Sequence, residues 1–293
     1  MTALPQSPLR VAIWDLRAAA PIAIAALAAG ILFTLPATTL ARDWWNDSEA
    51  GHGLLLAPLA VWLAWRGGLS PARAPNVTLG LAALLAAVIL RYLGGLAAEL
   101  FTLRFSMVLA AAGVTAFAWG GPQLRRWWLP FALLVLAIPL PTLVTNALAL
   151  PLQFKASSMG AALLAWREVP VTLRGNVILL PGRQLFVTEA CSGLRSLAAL
   201  VSLGVLVGGL WLRTPAARLI VLALTIPVAI LINAARVFMT GFLVYFVDPK
   251  LGEGFLHLTE GWLLFVVAFA ILGSVAWVAS RVEDHFAGDP ADA

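Results

Sequence analysis

Between residues 18 and 280 the chain is a series of apolar runs, most of them about as long as a bilayer is thick, separated by short polar stretches. Crossing the hydrocarbon core takes roughly 20 helical residues, and inside it every backbone N–H and C=O has to be satisfied within the protein. This feature restricts the chain to a bundle of membrane helices. The charge content agrees: charged residues are 11% of the chain, against about 25% in a soluble domain.

The pattern predicts an all-α polytopic membrane protein with about eight transmembrane helices, at 18–40, 52–65, 77–90, 105–119, 127–148, 192–212, 219–247 and 256–280. The whole chain, 1–293, reads as one integral membrane domain with a short polar tail from Arg281. The first run is too long for a cleaved signal core and reads as an uncleaved helix. Arg66, Arg73, Arg125, Arg126, Arg213, Arg218 and Arg281 fall on one side of this count, which is the cytoplasmic side by the positive-inside rule. Both termini are then cytoplasmic, and Arg42-Asp-Trp-Trp-Asn-Asp-Ser-Glu49 faces outside. The net charge of +5 is spread over short loops without a basic tract, which argues against a nucleic-acid partner. A single Cys excludes an internal disulfide and a Cys-rich metal site, and no cofactor or metal is expected.

The longest stretch without a span lies before Cys191. Residues 150–166, interrupted by Lys155, Ser157 and Ser158, read as an interfacial helix. Three β-prone pieces separated by Arg174-Gly-Asn and Pro181-Gly-Arg then read as a small extracytoplasmic meander. Its last strand leads directly to Cys191, and an edge strand there would be a dock for an extended peptide through main-chain hydrogen bonds.

Three residues interrupt the apolar pattern in ways that point to chemistry. Cys191, in Thr188-Glu-Ala-Cys-Ser-Gly-Leu-Arg-Ser196, is placed in the first turn of a helix capped by Thr188. Free N–H groups and the helix dipole favour a thiolate there, and Arg195 lies on the same face. A lone Cys in an apolar chain is also a good packing residue, so the residues alone leave both readings open. Arg236 lies within an apolar run and shares a face with Asn233 and Thr240. A mid-membrane arginine costs on the order of 3 kcal/mol or more unless it faces an interior site. It lies 18 residues past Arg218, roughly 27 Å of helix, and so near the outer leaflet. His257 opens the final helix on that same side; His52, in Gly51-His-Gly53, is also on the outer side, whereas His285 is in the tail.

The motifs Glu189-Ala-Cys-Ser-Gly-Leu-Arg-Ser196, Asn233-Ala-Ala-Arg236 and His257-Leu-Thr-Glu-Gly-Trp262 resemble the three active-site motifs of the exosortase/archaeosortase family. Gly51-His-Gly-Leu, Arg125-Arg-Trp-Trp-Leu-Pro130 and Ile138-Pro-Leu-Pro141 extend the likeness over roughly residues 42–280, with Gly51 where many relatives carry a small hydroxyl residue. The resemblance implies a cysteine transpeptidase of the bacterial cytoplasmic (inner) membrane with its active site on the extracytoplasmic side. It implies substrates exported with a C-terminal tripartite signal: a short motif such as Pro-Glu-Pro, an apolar helix and a basic tail. It implies Cys191 as nucleophile, Arg236 as oxyanion or thiolate stabiliser and His257 as acid and base. Glu189, Arg195, Asn233 and His52 are supporting or substrate-binding candidates, with Arg195 and Arg236 interchangeable in the oxyanion role. Two other classes fit the composition: a transporter binding an anion at Arg236, and a membrane assembly factor without catalysis.

Overall fold

The computed structural model describes residues 8–47, 50–72, 74–187, 194–248 and 255–286. Among them the chain order is α1 (Pro8–Asn46), α2 (Gly53–Gly67), α3 (Val77–Leu96), α4 (Leu100–Trp119), α5 (Gly121–Arg126), α6 (Trp128–Leu136) and α7 (Thr142–Trp166), then β1 (Thr172–Arg174), β2 (Val177–Leu180) and β3 (Arg183–Phe186), and finally α8 (Leu194–Trp211), α9 (Pro215–Phe246) and α10 (Phe255–Phe286). By length and composition α3, α4, α9 and most of α7 and α10 can cross a membrane, and α2 and α8 are shorter apolar helices. The chain is a polytopic α-helical membrane protein.

Its packing is that of a helix bundle in lipid. Small residues lie inside, among them Ala60, Ala87, Ala116, Ala229, Ala268 and Ala276, while Leu85, Leu143, Leu219, Ile220 and Trp277 are more than half exposed. Lipid tails are as apolar as leucine, so helices associate where small side chains let backbones approach. The α3–α4 hairpin shows this: Gly80 lies against Phe117, Gly113 against Leu84 and Gly94 against Leu103. Asn76 caps α3 by accepting the Leu79 N–H (2.9 Å), and Glu99 caps α4 by accepting those of Phe101 (3.0 Å) and Thr102 (2.6 Å). Arg104, 2% exposed, is paired with Asp43 at 2.6 Å, which ties the end of α1 to the start of α4.

Four expected boundaries change. The polar piece from Arg42 continues α1 to Asn46, and α10 runs past Arg281 to Phe286. The single span expected at 127–148 is broken: α6 ends at Leu136, and α7 starts only after Ala137-Ile-Pro-Leu-Pro141. The interfacial helix expected at 150–166 is the second half of α7, a continuous 25-residue helix that passes through Pro151. The break has a chemical cause. Pro139 has no N–H for the carbonyl of Val135 and Pro141 none for that of Ala137, and a helix cannot continue through two such positions unaided. Two side chains from elsewhere take up carbonyls left open at the break: Trp44 Nε1–H donates to Ala137 O (2.7 Å) and His52 Nε2–H to Leu136 O (3.1 Å).

Packing sets the helix directions. Leu129 of α6 lies against Gly209 of α8, and Leu133 joins Val205 and Leu206 in one cluster, so α6 and α8 are antiparallel. Gly160 of α7 meets Val237 of α9, and Gly241 of α9 meets Leu164 of α7. The contacts advance together on both helices, so α7 and α9 are parallel. Helices α8, α9 and α10 form an up-down-up unit, with Leu200, Ala229, Ala268 and Leu272 in one cluster and Val207, Val221 and Ala276 in the next.

The sheet is a three-stranded antiparallel meander in the order β1-β2-β3. Its buried side, Ile178 and Leu180, packs with Val187 on Ala156, Ala161 and Leu164 of α7 and on Val237 and Val244 of α9. The turn before β2 requires φ +63° at Gly175 and the turn before β3 φ +73° at Gly182, a region costly for residues with a Cβ.

Candidate active site

The approach to the site begins where β3 ends. Val187, 2% exposed, donates its N–H to Asn176 O (3.0 Å) and accepts at its carbonyl from Asn176 Nδ2 (3.1 Å). The same Nδ2 donates to Gln153 Oε1 (3.3 Å) on α7, where Gln153 is 4% exposed. The residue immediately before Thr188 is therefore held from both sides by Asn176, itself moored to α7. Sequence reasoning missed Gln153 and Asn176. The available signals were a Gln in an otherwise apolar helix and an Asn directly after a turn glycine.

Residues 188–193, which include Glu189 and Cys191, lie outside the described residues; Arg195 and His257 have described backbone positions without described side chains. Three elements that carry the site candidates meet at one end of the α8–α9–α10 unit. Measured from the Leu200–Ala229–Ala268 layer, Leu194 at the start of α8 lies about 9 Å along the bundle, Arg236 about 10 Å and His257 about 16 Å, all in the same direction. The opposite end is pinned: Glu283 of α10 accepts the N–H groups of Arg213 (2.9 Å) and Thr214 (2.8 Å) and the Thr214 hydroxyl.

On α9, Asn233 and Thr240 are buried and Arg236 is half-buried. The Thr240 hydroxyl donates to the Arg236 carbonyl (3.0 Å), which satisfies it within the helix. None of the three is without a polar partner. A narrow apolar cleft lined by Leu152, Ala156, Leu197, Ile226, Ala229 and Ile230 runs between α7, α8 and α9 and ends on Asn233. This face offers one fixed cation and one amide at the top of an apolar wall. Such a pair can stabilise a thiolate, an oxyanion or a carboxylate. Among the described residues no three His, Cys, Asp or Glu side chains gather as a metal site.

His52 is placed differently. It stands at the start of α2, half-buried, and its described contact joins α2 to the break after α6.

A family model described as transmembrane exosortase matches residues 44–274. The chain belongs to the transmembrane exosortase family. No curated protein and no solved structure matches it. The exosortase match takes in α2 through α9, the sheet and the first two-thirds of α10, and therefore Cys191, Arg236 and His257.

Basic residues mark both ends of this exosortase bundle. Arg66, Arg126 and Arg218 lie at one end, where Arg126 Nε donates to Gly67 O (2.7 Å) and Arg218 stacks on Trp128 (4.9 Å). The sheet, the Arg236 segment of α9 and the start of α10 lie at the other.

Proposed function

We propose that this exosortase is a membrane-embedded cysteine transpeptidase that cleaves C-terminal sorting signals of exported proteins and transfers them to a cell-envelope acceptor. The observation that carries the reading is the convergence of the start of α8, the Arg236 turn of α9 and the start of α10 at one end of the bundle. The end that carries Arg66, Arg126 and Arg218 in its short connections is cytoplasmic under the positive-inside rule. The converging end then faces outward from the inner membrane, where exported substrates present a cleavage motif above their own apolar helix.

In the first half-reaction the Cys191 thiolate attacks the carbonyl carbon of the scissile peptide bond. Negative charge develops on the carbonyl oxygen, and the Arg236 guanidinium stabilises it, oriented by its half-buried place on α9. The C–N bond breaks, His257 gives its proton to the leaving amine, and the acyl group remains on Cys191 as a thioester. In the second half-reaction an acceptor amine or hydroxyl attacks the thioester, His257 takes its proton, and the thiolate is released. Asn233 lies one turn before Arg236 and orients either the guanidinium or the peptide. Arg195 and Glu189 flank the nucleophile and are assigned to substrate contact.

The test is co-expression with an exported reporter that ends in a Pro-containing motif, an apolar helix and a basic tail. Processing is expected to stop in Cys191→Ala with the protein still in the membrane. Arg236→Gln should lose about 10²–10³ in rate, the usual effect of removing one oxyanion donor. Mass spectrometry of a slowed His257→Ala chain is expected to find the acyl adduct on Cys191. Cleavage unchanged in Cys191→Ala overturns the reading.

A further inference from the structure

The meander has an open edge on the strand that precedes the candidate nucleophile in sequence. The register pairs Val177 with Phe186, Ile178 with Leu185, Leu179 with Gln184 and Leu180 with Arg183. The Val187 N–H donates to Asn176 O, so 187·176 is a hydrogen-bonded pair. Antiparallel ladders alternate bonded and non-bonded pairs. Leu185 and Arg183 therefore spend their N–H and C=O groups on β2, while those of Gln184 and Phe186 point away from it. Among the described residues no further strand covers that side, since β3 is the last in the sheet order, and both Gln184 and Phe186 are exposed, Phe186 at 58%. Two N–H and two C=O groups two residues apart, about 7 Å along the strand, match the spacing at which another extended chain presents its own. An open edge of this kind is managed as a liability in most proteins. Here it ends at Phe186, five residues before Cys191 in sequence.

The sheet's charge narrows the occupant. β3 carries Arg183 and no acidic residue, whereas Arg174 lies on β1 at the opposite edge of the sheet. An extended chain laid along β3 runs beside the Arg183 guanidinium, so a segment with an acidic residue at that position fits best.

We propose that the open edge of β3 receives an extended segment of the exported substrate, with an acidic residue beside Arg183, as a fourth strand. Strand addition there delivers the peptide bond toward Cys191, with affinity coming from main-chain hydrogen bonds at Gln184 and Phe186. This rests on the transpeptidase reading. It adds to it where the substrate docks and in what conformation.

Proline substitution isolates the main chain. Phe186→Pro removes an N–H that faces the open edge and leaves the ladder with β2 intact. Leu173→Pro does the same at the opposite edge of the sheet, because Thr172 and Arg174 flank it in bonded pairs with Leu179 and Val177. With the tripartite reporter, Phe186→Pro is expected to lower kcat/KM about tenfold, mainly through KM, and Leu173→Pro to leave it within about twofold. Equal losses in both variants, or no loss in Phe186→Pro while Cys191→Ala abolishes cleavage, overturn the docking and spare the chemistry. Cleavage that persists in Cys191→Ala overturns both. A second measurement does not depend on turnover. In a Cys191→Ser chain carrying Gln184→Cys, a reporter cysteine moved stepwise through the segment before its apolar helix is expected to form disulfides at every second position. Disulfides at consecutive positions alike, or at none, rule out strand addition.

Discussion

Asn176 shows how one side chain can govern the approach to a site without belonging to its chemistry. It bonds Val187 through both backbone and side chain, and it reaches the buried Gln153 across the α7–sheet interface. Asn176→Ala leaves the Gln153 amide and the Val187 carbonyl without that partner, which costs about 1–3 kcal/mol at a buried site. Thermal unfolding in detergent is expected to show the loss, and a double-mutant cycle with Gln153→Leu should return a coupling of at least about 0.5 kcal/mol. Additive effects would show that the two amides act separately. Glu99, outside the spans, acts instead on the cap of α4. Its partial burial opposes ionisation, but the bonds from Thr102 and Phe101 and the charge of Arg104 outweigh it, so its carboxyl titrates below the usual glutamate range. A depressed folded pKa contributes stability that is present above the unfolded value and lost as pH falls through the folded one. Melting temperature measured from pH 7 down to 3 is expected to fall less in Glu99→Gln than in the native chain.

Helix α7 is the element on which the site's geometry depends. It carries Gln153 for the clamp, Ala156, Ala161 and Leu164 for the sheet, and Gly160 for close approach to α9. A Cβ at Gly160 would stand 2.5 Å from Val237 Cγ1 and 2.9 Å from its Cβ. Valine is β-branched and stiff, so it cannot swing aside. Gly160→Val therefore has to push α7 off α9 at the residue next to Arg236. A loss of about 1–3 kcal/mol is expected from overpacking of this kind. Reporter processing should fall more steeply than melting temperature, because the displacement falls on the site. Gly30, with nothing within 4 Å of an added Cβ, is the matched control: Gly30→Val should change neither quantity.

At the scale of the molecule the decisive quantity is sidedness. Exposed Arg125 lies at the end with Arg126 and Trp127, and exposed Arg183 at the end with the sheet. In a Cys191→Ser chain, Arg183→Cys is expected to react with a membrane-impermeant maleimide in intact cells, and Arg125→Cys only after permeabilisation. The reverse pattern would place the site on the cytoplasmic side and remove exported proteins as substrates. The bundle also bears on the transporter alternative, in which Arg236 would hold an anion: that reading predicts that Cys191 is dispensable.

Sequence alone determined the membrane class, because apolar runs near 20 residues have few other fates in water or lipid. It also determined the three-strand meander, since Gly175 and Gly182 mark its turns locally. The polar face of Asn233, Arg236 and Thr240 was legible from helical spacing in the same way. The break between α6 and α7 was not. Its apolar residues average into one span, and the carbonyls left open at the break are satisfied by Trp44 and His52, more than eighty residues earlier in the chain. Nor was the clamp on Val187, whose three members lie on α7, a turn and the end of β3. Spacing along a chain reports which residues share a face. Which faces meet is decided by where small residues let helices approach, and that exists only once the bundle has packed.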